Sequence, residues 1–303
     1  MRALITGATG FIGSHLVSEL RRLGWQAVCL VRRDVEWNDK DIFCIKGDLL
    51  NPDSLDLKVS RIGQIDVIFH LGAVLPSKGQ NYSTSQYRVA NTLSTIKLLE
   101  IALNSRIPYF VYASSLQVIG KPEYSPVTEN HPASPIHPYL LSKLSAELAC
   151  EMFRINEGLA VTSLRITSPY GDRMSQHSVL PFFVQQASNS QDIELFGSGQ
   201  RTQNFVHVKD VVSACLLAAN TPDPGVYNIA GPSSISMKAL AEMVVRLTPG
   251  SKSKIVFGGK PDPQEDYRWE VDLSRSSNRL RFYPRIDLEQ GLADYISWPS
   301  SRR

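Results

Sequence analysis

The chain has 303 residues, 43% of them hydrophobic and 20% charged, with a formal net charge of +3 at neutral pH. That balance suits a globular chain able to bury a substantial core and excludes a disordered one. Lys and Arg are interspersed with Asp and Glu instead of gathering in runs, which excludes a nucleic-acid surface built on a basic stripe. Cys29, Cys44, Cys150 and Cys215 lie far apart and outside any Cys-x-x-Cys pair, so no metal site is expected, and each is predicted to be a buried thiol. Met1 leads straight into a strand and a glycine loop with no signal-peptide pattern. No apolar run nears the about 18 residues of a membrane span. The expected location is therefore cytoplasmic, with no membrane partner.

In chain order, strands are predicted at Ala3–Thr6, Gln26–Val31, Ile42–Lys46, Asp66–Leu71, Tyr109–Ser114 and Val161–Ile166. Helical patterns fall between them at Phe11–Leu23, Tyr87–Leu103 and Tyr139–Asn156. Such alternation predicts an α/β fold, a Rossmann doubly wound parallel sheet, with ligands bound beyond the carboxyl ends of its strands. From Ser168 onward the strands weaken and the loops grow rich in Gly, Ser and Pro, which predicts a smaller C-terminal lobe over 168–303 beside a lobe of residues 1–167. Residues 203–230, with Val206–Ala219 and Val226–Ile229, are expected to return to the sheet. The tail Ser297–Arg303 reads as frayed.

Strand one ends in Gly7-Ala-Thr-Gly10-Phe-Ile-Gly13 and a helix follows at once. Glycines at these spacings let the chain turn sharply, bring backbone close to a pyrophosphate and let the helix pack on the strand, with its free N–H groups facing the phosphates. An ordinary glycine turn remains the alternative reading. Further on, Tyr139-Leu-Leu-Ser-Lys143 opens a helix after Pro138, and a spacing of four puts phenol and ammonium on one face. An ammonium beside a phenol favours the phenolate, so a lowered tyrosine pKa and proton exchange with a hydroxyl are expected. Taken alone, the pair is also what a solvated helix face shows.

These motifs together resemble the extended short-chain dehydrogenase/reductase family, the NAD-dependent epimerase/dehydratase group acting on NDP-sugars. Gly47-Asp48-Leu49, the strand Asp66-Val-Ile-Phe-His-Leu-Gly-Ala73, Asn91 and Leu164-Arg-Ile-Thr-Ser-Pro-Tyr-Gly171 recur in the family's order. The resemblance implies a catalytic Ser115, Tyr139 and Lys143. It implies a cofactor site at Gly7, Thr9, Gly10, Phe11, Ile12 and Gly13, continued by Asp48, Leu49, Leu71, Gly72, Ala73, Tyr139, Lys143 and Ile166. It further implies a substrate site at Ser115, Ser168, Arg201 and Lys260. His70 is assigned no chemistry. Leu116 and Gln117 stand where the dehydratases carry Asp-Glu, and neither titrates, which disfavours dehydration.

The cofactor expected is NADP, with NAD the alternative. NAD-using relatives place an Asp directly after strand two; Val31 stands there, and Arg32 and Arg33 follow where a 2′-phosphate would sit. The predicted activity is an NADPH-dependent ketoreductase of an NDP-4-keto-deoxysugar. Alternatives are an NDP-sugar 4-epimerase with retained cofactor and a non-catalytic nucleotide-sensing protein. A homodimer through the helices at Tyr87–Leu103 and Tyr139–Asn156 is the expected assembly, and a nucleotide sugar the expected small-molecule partner.

Overall fold

The computed structural model describes residues 1–33, 35, 37, 39–55, 63–76 and 82–298. Strands β1 (Arg2–Thr6), β2 (Gln26–Val31), β3 (Ile42–Lys46), β4 (Val67–His70), β5 (Tyr109–Ser115) and β6 (Ala160–Ile166) join β10 (Val226–Ile229) in a parallel sheet of order β10-β6-β5-β4-β1-β2-β3. Its inner strands β1, β2 and β4 read as near-continuous apolar runs because both faces are covered. On one face Ala3, Ile5, Cys29 and Phe69 pack with α1 (Phe11–Arg22) and α6 (Val208–Ala218). On the other, Leu4, Val28, Ile68 and Phe110 pack with α3 (Ser94–Asn104) and α4 (Pro138–Asn156).

The remaining strands build the smaller layer. β7 (Ser168–Tyr170), β9 (Thr202–His207) and β11 (Ser234–Ser236) form one sheet, and β8 (Ile193–Leu195) pairs with β12 (Ile255–Phe257). Around them α5 (Val179–Ser188), α7 (Met237–Leu247) and α8 (Leu288–Ser297) enclose a separate core of Tyr170, Phe183, Leu240 and Leu292.

Three expectations need correction here. Val226–Ile229 does return to the large sheet, but Val206–Ala219 does not add a strand: most of it is α6, laid against a sheet face, because its apolar residues recur at helical spacing. Cys44 is exposed, since β3 is the edge strand and only one of its neighbours is a strand. The helix expected at Tyr87 starts earlier, at α2 (Thr84–Tyr87), where Ser83 and Gln86 form a reciprocal cap, and it passes through a π-helical turn, Arg88–Leu93, before α3. Residues 299–303 of the expected frayed tail, and Asp34, lie outside the described residues.

Candidate active site

Strand β1 delivers Thr6 to a turn that only glycine can make. Gly7 has φ +71°, and a Cβ on it would stand 2.7 Å from the Gly72 nitrogen; a Cβ on Gly13 would stand 2.0 Å from the Gly7 carbonyl oxygen. Helix α1 begins with Gly10 at its cap, no capping side chain and no acidic residue in its first turn, so its first N–H groups are left for an anion. Gly7, Thr9, Gly10, Phe11, Ile12 and Gly13 line one end of a cleft of about 760 Å³. Arg32, Asp48 and Leu49 lie along the same cleft, with Leu71, Gly72 and Ala73 beside them. Asp48 Oδ1 also accepts the Leu50 N–H at 3.0 Å, so it caps its own turn as well as facing the cleft. A glycine cradle, an open helix N-terminus and a long cleft together fit a dinucleotide.

Ser115, Tyr139, Lys143, Ile166 and Ser168 line the same cleft, so the expected catalytic group and the glycine loop share one cavity. Each is placed by the end of a regular element. Ser115 closes β5 and accepts the Gln117 N–H at 3.3 Å; Tyr139 stands in the first turn of α4, after Pro138, with its N–H on His137 Nδ1 at 3.1 Å. Its ring meets Tyr87 edge-on at 6.0 Å, and the buried Lys143 ammonium lies 4.3 Å from the centre of the Tyr112 ring.

The electrostatics reverse the sequence-based expectation. Burial, with the Tyr87 phenol beside it, raises the Tyr139 pKa above its ordinary value, and burial pushes Lys143 down to about 7 against the pull of Cys150 and Glu147. Desolvation of both groups outweighs their helical adjacency. Tyr139 is thus a neutral phenol at pH 7, the form that gives a proton to a ketone oxygen, while Lys143 sits near its own titration point.

Behind the cleft a chain of hydrogen bonds joins β1, β4, α3, the π-helical turn and α4. The Gly72 N–H donates to Thr6 Oγ1 at 2.9 Å, and Thr6 Oγ1 meets His70 Nδ1 at 2.6 Å. His70 Nε2 meets Thr95 Oγ1 at 2.9 Å, which donates to the Asn91 carbonyl at 2.5 Å. This order fits one tautomer, with the proton on Nε2, and burial pushes the His70 pKa down to about 3. His70 is a neutral brace. From the π-helical turn, Asn91 donates to Ser142 Oγ at 2.9 Å, which donates to the Tyr139 carbonyl at 2.7 Å. The asparagine therefore holds the first turn of α4.

A smaller cavity of about 80 Å³ shares Gln117, Thr167, Ser168 and Gln203 with the cleft. Ser168 Oγ accepts from Gln203 Nε2 at 2.5 Å. Arg201 lines this cavity, with its Nε donating to Asp262 at 2.8 Å and one terminal nitrogen reaching the Gln203 and Gln264 side-chain oxygens at 3.4 and 3.3 Å.

Two expected residues lie elsewhere. Lys260 is exposed, pairs with Glu194 at 3.2 Å and lies over the Phe196 ring; neither cavity includes it, because the Lys260 carbonyl binds the Gly197 N–H and pins that segment to the outer loop. Arg33 is exposed and outside the cleft, as expected when consecutive residues leaving a strand point opposite ways. Sequence reasoning also missed Thr167, Phe205, Gln264, Tyr267 and Trp269 as lining residues. Thr167 directly follows β6, so the strand-end rule could have found it. Phe205 comes from β9, and Gln264, Tyr267 and Trp269 from a distant loop, with no local signal pointing to the cleft.

A doubly wound parallel sheet whose glycine turn shares a cleft with a serine, a tyrosine and a lysine defines a dinucleotide-dependent enzyme of the oxidoreductase type. Residues 3–230 match the model of the NAD dependent epimerase/dehydratase family, and the chain belongs to that family. It is an extended short-chain dehydrogenase/reductase, as its motifs implied. It is 30% identical over 303 residues to a putative UDP-glucose 4-epimerase of Methanocaldococcus jannaschii, covering 97% of each chain. To a dTDP-glucose 4,6-dehydratase of an Actinoplanes species it is 25% identical over 321 residues, covering 100% of this chain and 99% of that one. The fold also matches a UDP-glucuronic acid 4-epimerase from Bacillus cereus in complex with UDP-glucuronic acid and NAD, with 26% identity, a TM-score of 0.84 and coverage of 98% and 99%. The family's description and that complex both carry NAD, not NADP. Among the described residues no helix is long and apolar enough to cross a membrane.

Proposed function

We propose that the protein is a nucleotide-sugar 4-epimerase that keeps its NAD bound. The observation that carries this reading is the single cleft joining the glycine loop, Ser115, Tyr139, Lys143 and the Ser168–Gln203 pair. A bound nicotinamide supplies the hydride exchange with the sugar carbon. Tyr139 moves the proton at the sugar oxygen, and the Ser115 hydroxyl binds that oxygen. Lys143, in its charged form, stabilises the phenolate formed when the proton leaves. The hydride taken from that carbon would be returned to it on the other face, so the sugar would undergo no net redox change. Leu116 and Gln117 offer no carboxylate for removing water, which argues against the dehydratase reaction named for some relatives.

One observation favours a second reading, the NADPH-dependent ketoreductase. Arg32 lines the cleft at the exit of β2, and Val31 leaves no carboxylate there to repel a 2′-phosphate. A charge-assisted hydrogen bond of about 1.5–3 kcal/mol corresponds to about a 10- to 150-fold preference for NADP. Denaturing the purified enzyme and assaying the released dinucleotide separates the two. NAD at near-full occupancy, with interconversion of UDP-glucose and UDP-galactose in the absence of added cofactor, is the expected result. An enzyme that binds NADPH more tightly and consumes it stoichiometrically with a 4-keto sugar is instead a reductase.

We also propose a homodimer through α4. Leu141, Leu148, Met152 and Ile155 are exposed on it, 60% in the case of Leu148, at spacings that make one stripe. Leu148→Glu is expected to convert a dimer to a monomer in sedimentation velocity. A wild-type protein that sediments as a monomer rules the dimer out.

A further inference from the structure

One turn beyond Lys143, the Glu147 side chain is 3% exposed and the Arg165 side chain facing it 8% exposed. The carboxylate accepts Ser114 Oγ at 2.6 Å, Arg165 Nε at 3.1 Å and a terminal Arg165 nitrogen at 2.7 Å. Arg165 spends its remaining terminal nitrogen on the Glu129 carbonyl at 2.9 Å, and Glu129 Oε1 accepts the Asn228 N–H from β10 at 2.9 Å. Ser114 directly precedes Ser115, Arg165 directly precedes Ile166, and Glu147 shares a helix with Tyr139 and Lys143. A single carboxylate thus ties together the three elements that present the cleft's serine, its tyrosine and lysine, and its substrate edge.

We propose that Glu147 is a positioning residue of this site: it holds β5, β6 and α4 in register and keeps a negative charge behind the Lys143 ammonium. The role of Lys143 in this inference rests on the function proposed above. The groups facing Glu147 are Lys143 and Cys150 from α4, Ser114 and Tyr112 from β5, and Arg165 from β6. Those acting on Lys143 include Tyr112 from β5 and His70 from β4. Burial drives Lys143 toward its neutral form, and Glu147 is among the groups opposing that. Removing the charge therefore lowers the pH at which Lys143 loses its proton.

Glu147→Gln keeps the shape and can still accept from Ser114. In the NAD-loaded enzyme it is expected to lower kcat about tenfold while KM for the sugar nucleotide changes by less than about threefold, because misplacement acts on the reacting geometry. Ser114→Ala removes one tether and leaves the ion pair, so kcat falls by less, about threefold, with no pH displacement. The pH dependence of NADH binding to enzyme stripped of its bound NAD, read by fluorescence, needs no sugar. Its alkaline limb is expected to move to lower pH by about half a unit or more in Glu147→Gln and to stay in place in Ser114→Ala and Glu147→Asp. An unmoved limb in Glu147→Gln overturns the inference whichever substrate the enzyme takes. A wild-type enzyme without sugar-nucleotide turnover overturns only the proposed function. If Glu147→Gln does not fold, Ser114→Ala decides: wild-type kcat in that variant overturns the role, and a loss with unchanged KM supports it.

Discussion

Tyr139→Phe is expected to lower kcat by about 10²- to 10⁴-fold while leaving NAD affinity within a few-fold of wild type. The variant deletes one oxygen and keeps the ring that meets Tyr87 at 6.0 Å and the backbone that Asn91 and Ser142 hold. Stability should change by less than about 1 kcal/mol, so the loss reports chemistry and not unfolding. Burial raises the Tyr139 pKa, and in the proposed epimerisation its phenolate would take the proton of the sugar hydroxyl as the ketone forms and give it back as the ketone is reduced. Among the described residues no other hydroxyl in the cleft has a lysine one turn away on its own helix; Ser115, from β5, can hydrogen-bond the oxygen but has no base on its element. Steady-state kinetics with calorimetric NAD titration provides the test. Unchanged kcat on the true substrate would remove Tyr139 from the active site.

Gly13→Ala is expected to have the largest effect among the glycine-loop changes. The new methyl would stand 2.0 Å from the Gly7 carbonyl oxygen and 2.8 Å from its carbon, and both are backbone atoms that no rotamer can move aside. Helix α1 must shift away from β1, a distortion that costs about 1–3 kcal/mol and displaces the open N–H groups at the helix start. NAD affinity should fall at least about tenfold, in step with a lowered Tm. Gly10→Ala is the control. Gly10 has φ −78° and its nearest neighbour would be 3.1 Å from the new Cβ, so the folding cost there should be small. Wild-type Tm and wild-type NAD affinity in Gly13→Ala would mean that close packing of α1 on the first turn does not shape the site.

The large sheet was legible in the sequence because its strands are buried on both faces, and a strand covered twice must be apolar at consecutive positions. That is a local property of β1, β2, β4 and most of β5, and the predicted bounds of these strands and of β6 lie within a residue or two of those observed. The glycine turn was legible because Gly7 needs a positive φ and Gly13 a missing side chain, which a sequence can only express as glycine. Tyr139 and Lys143 were legible as a pair because the helical period alone puts them on one face.

What the sequence by itself determined, then, is the order of elements, the family and the shared face of Tyr139 and Lys143. Only the tertiary structure decided their charge states, since the burial that raises Tyr139 and lowers Lys143 comes from neighbours such as Tyr87 and Tyr112 on other elements. It alone sent Lys260 to Glu194 and set Arg201 against Asp262, and it separated Arg32, in the cleft, from Arg33, outside it. Hydrophobic periodicity is written along the chain because each residue's side of a helix or strand follows from its neighbours in sequence. Desolvation and ion pairing follow from neighbours in space, and the sequence carries those only through the fold.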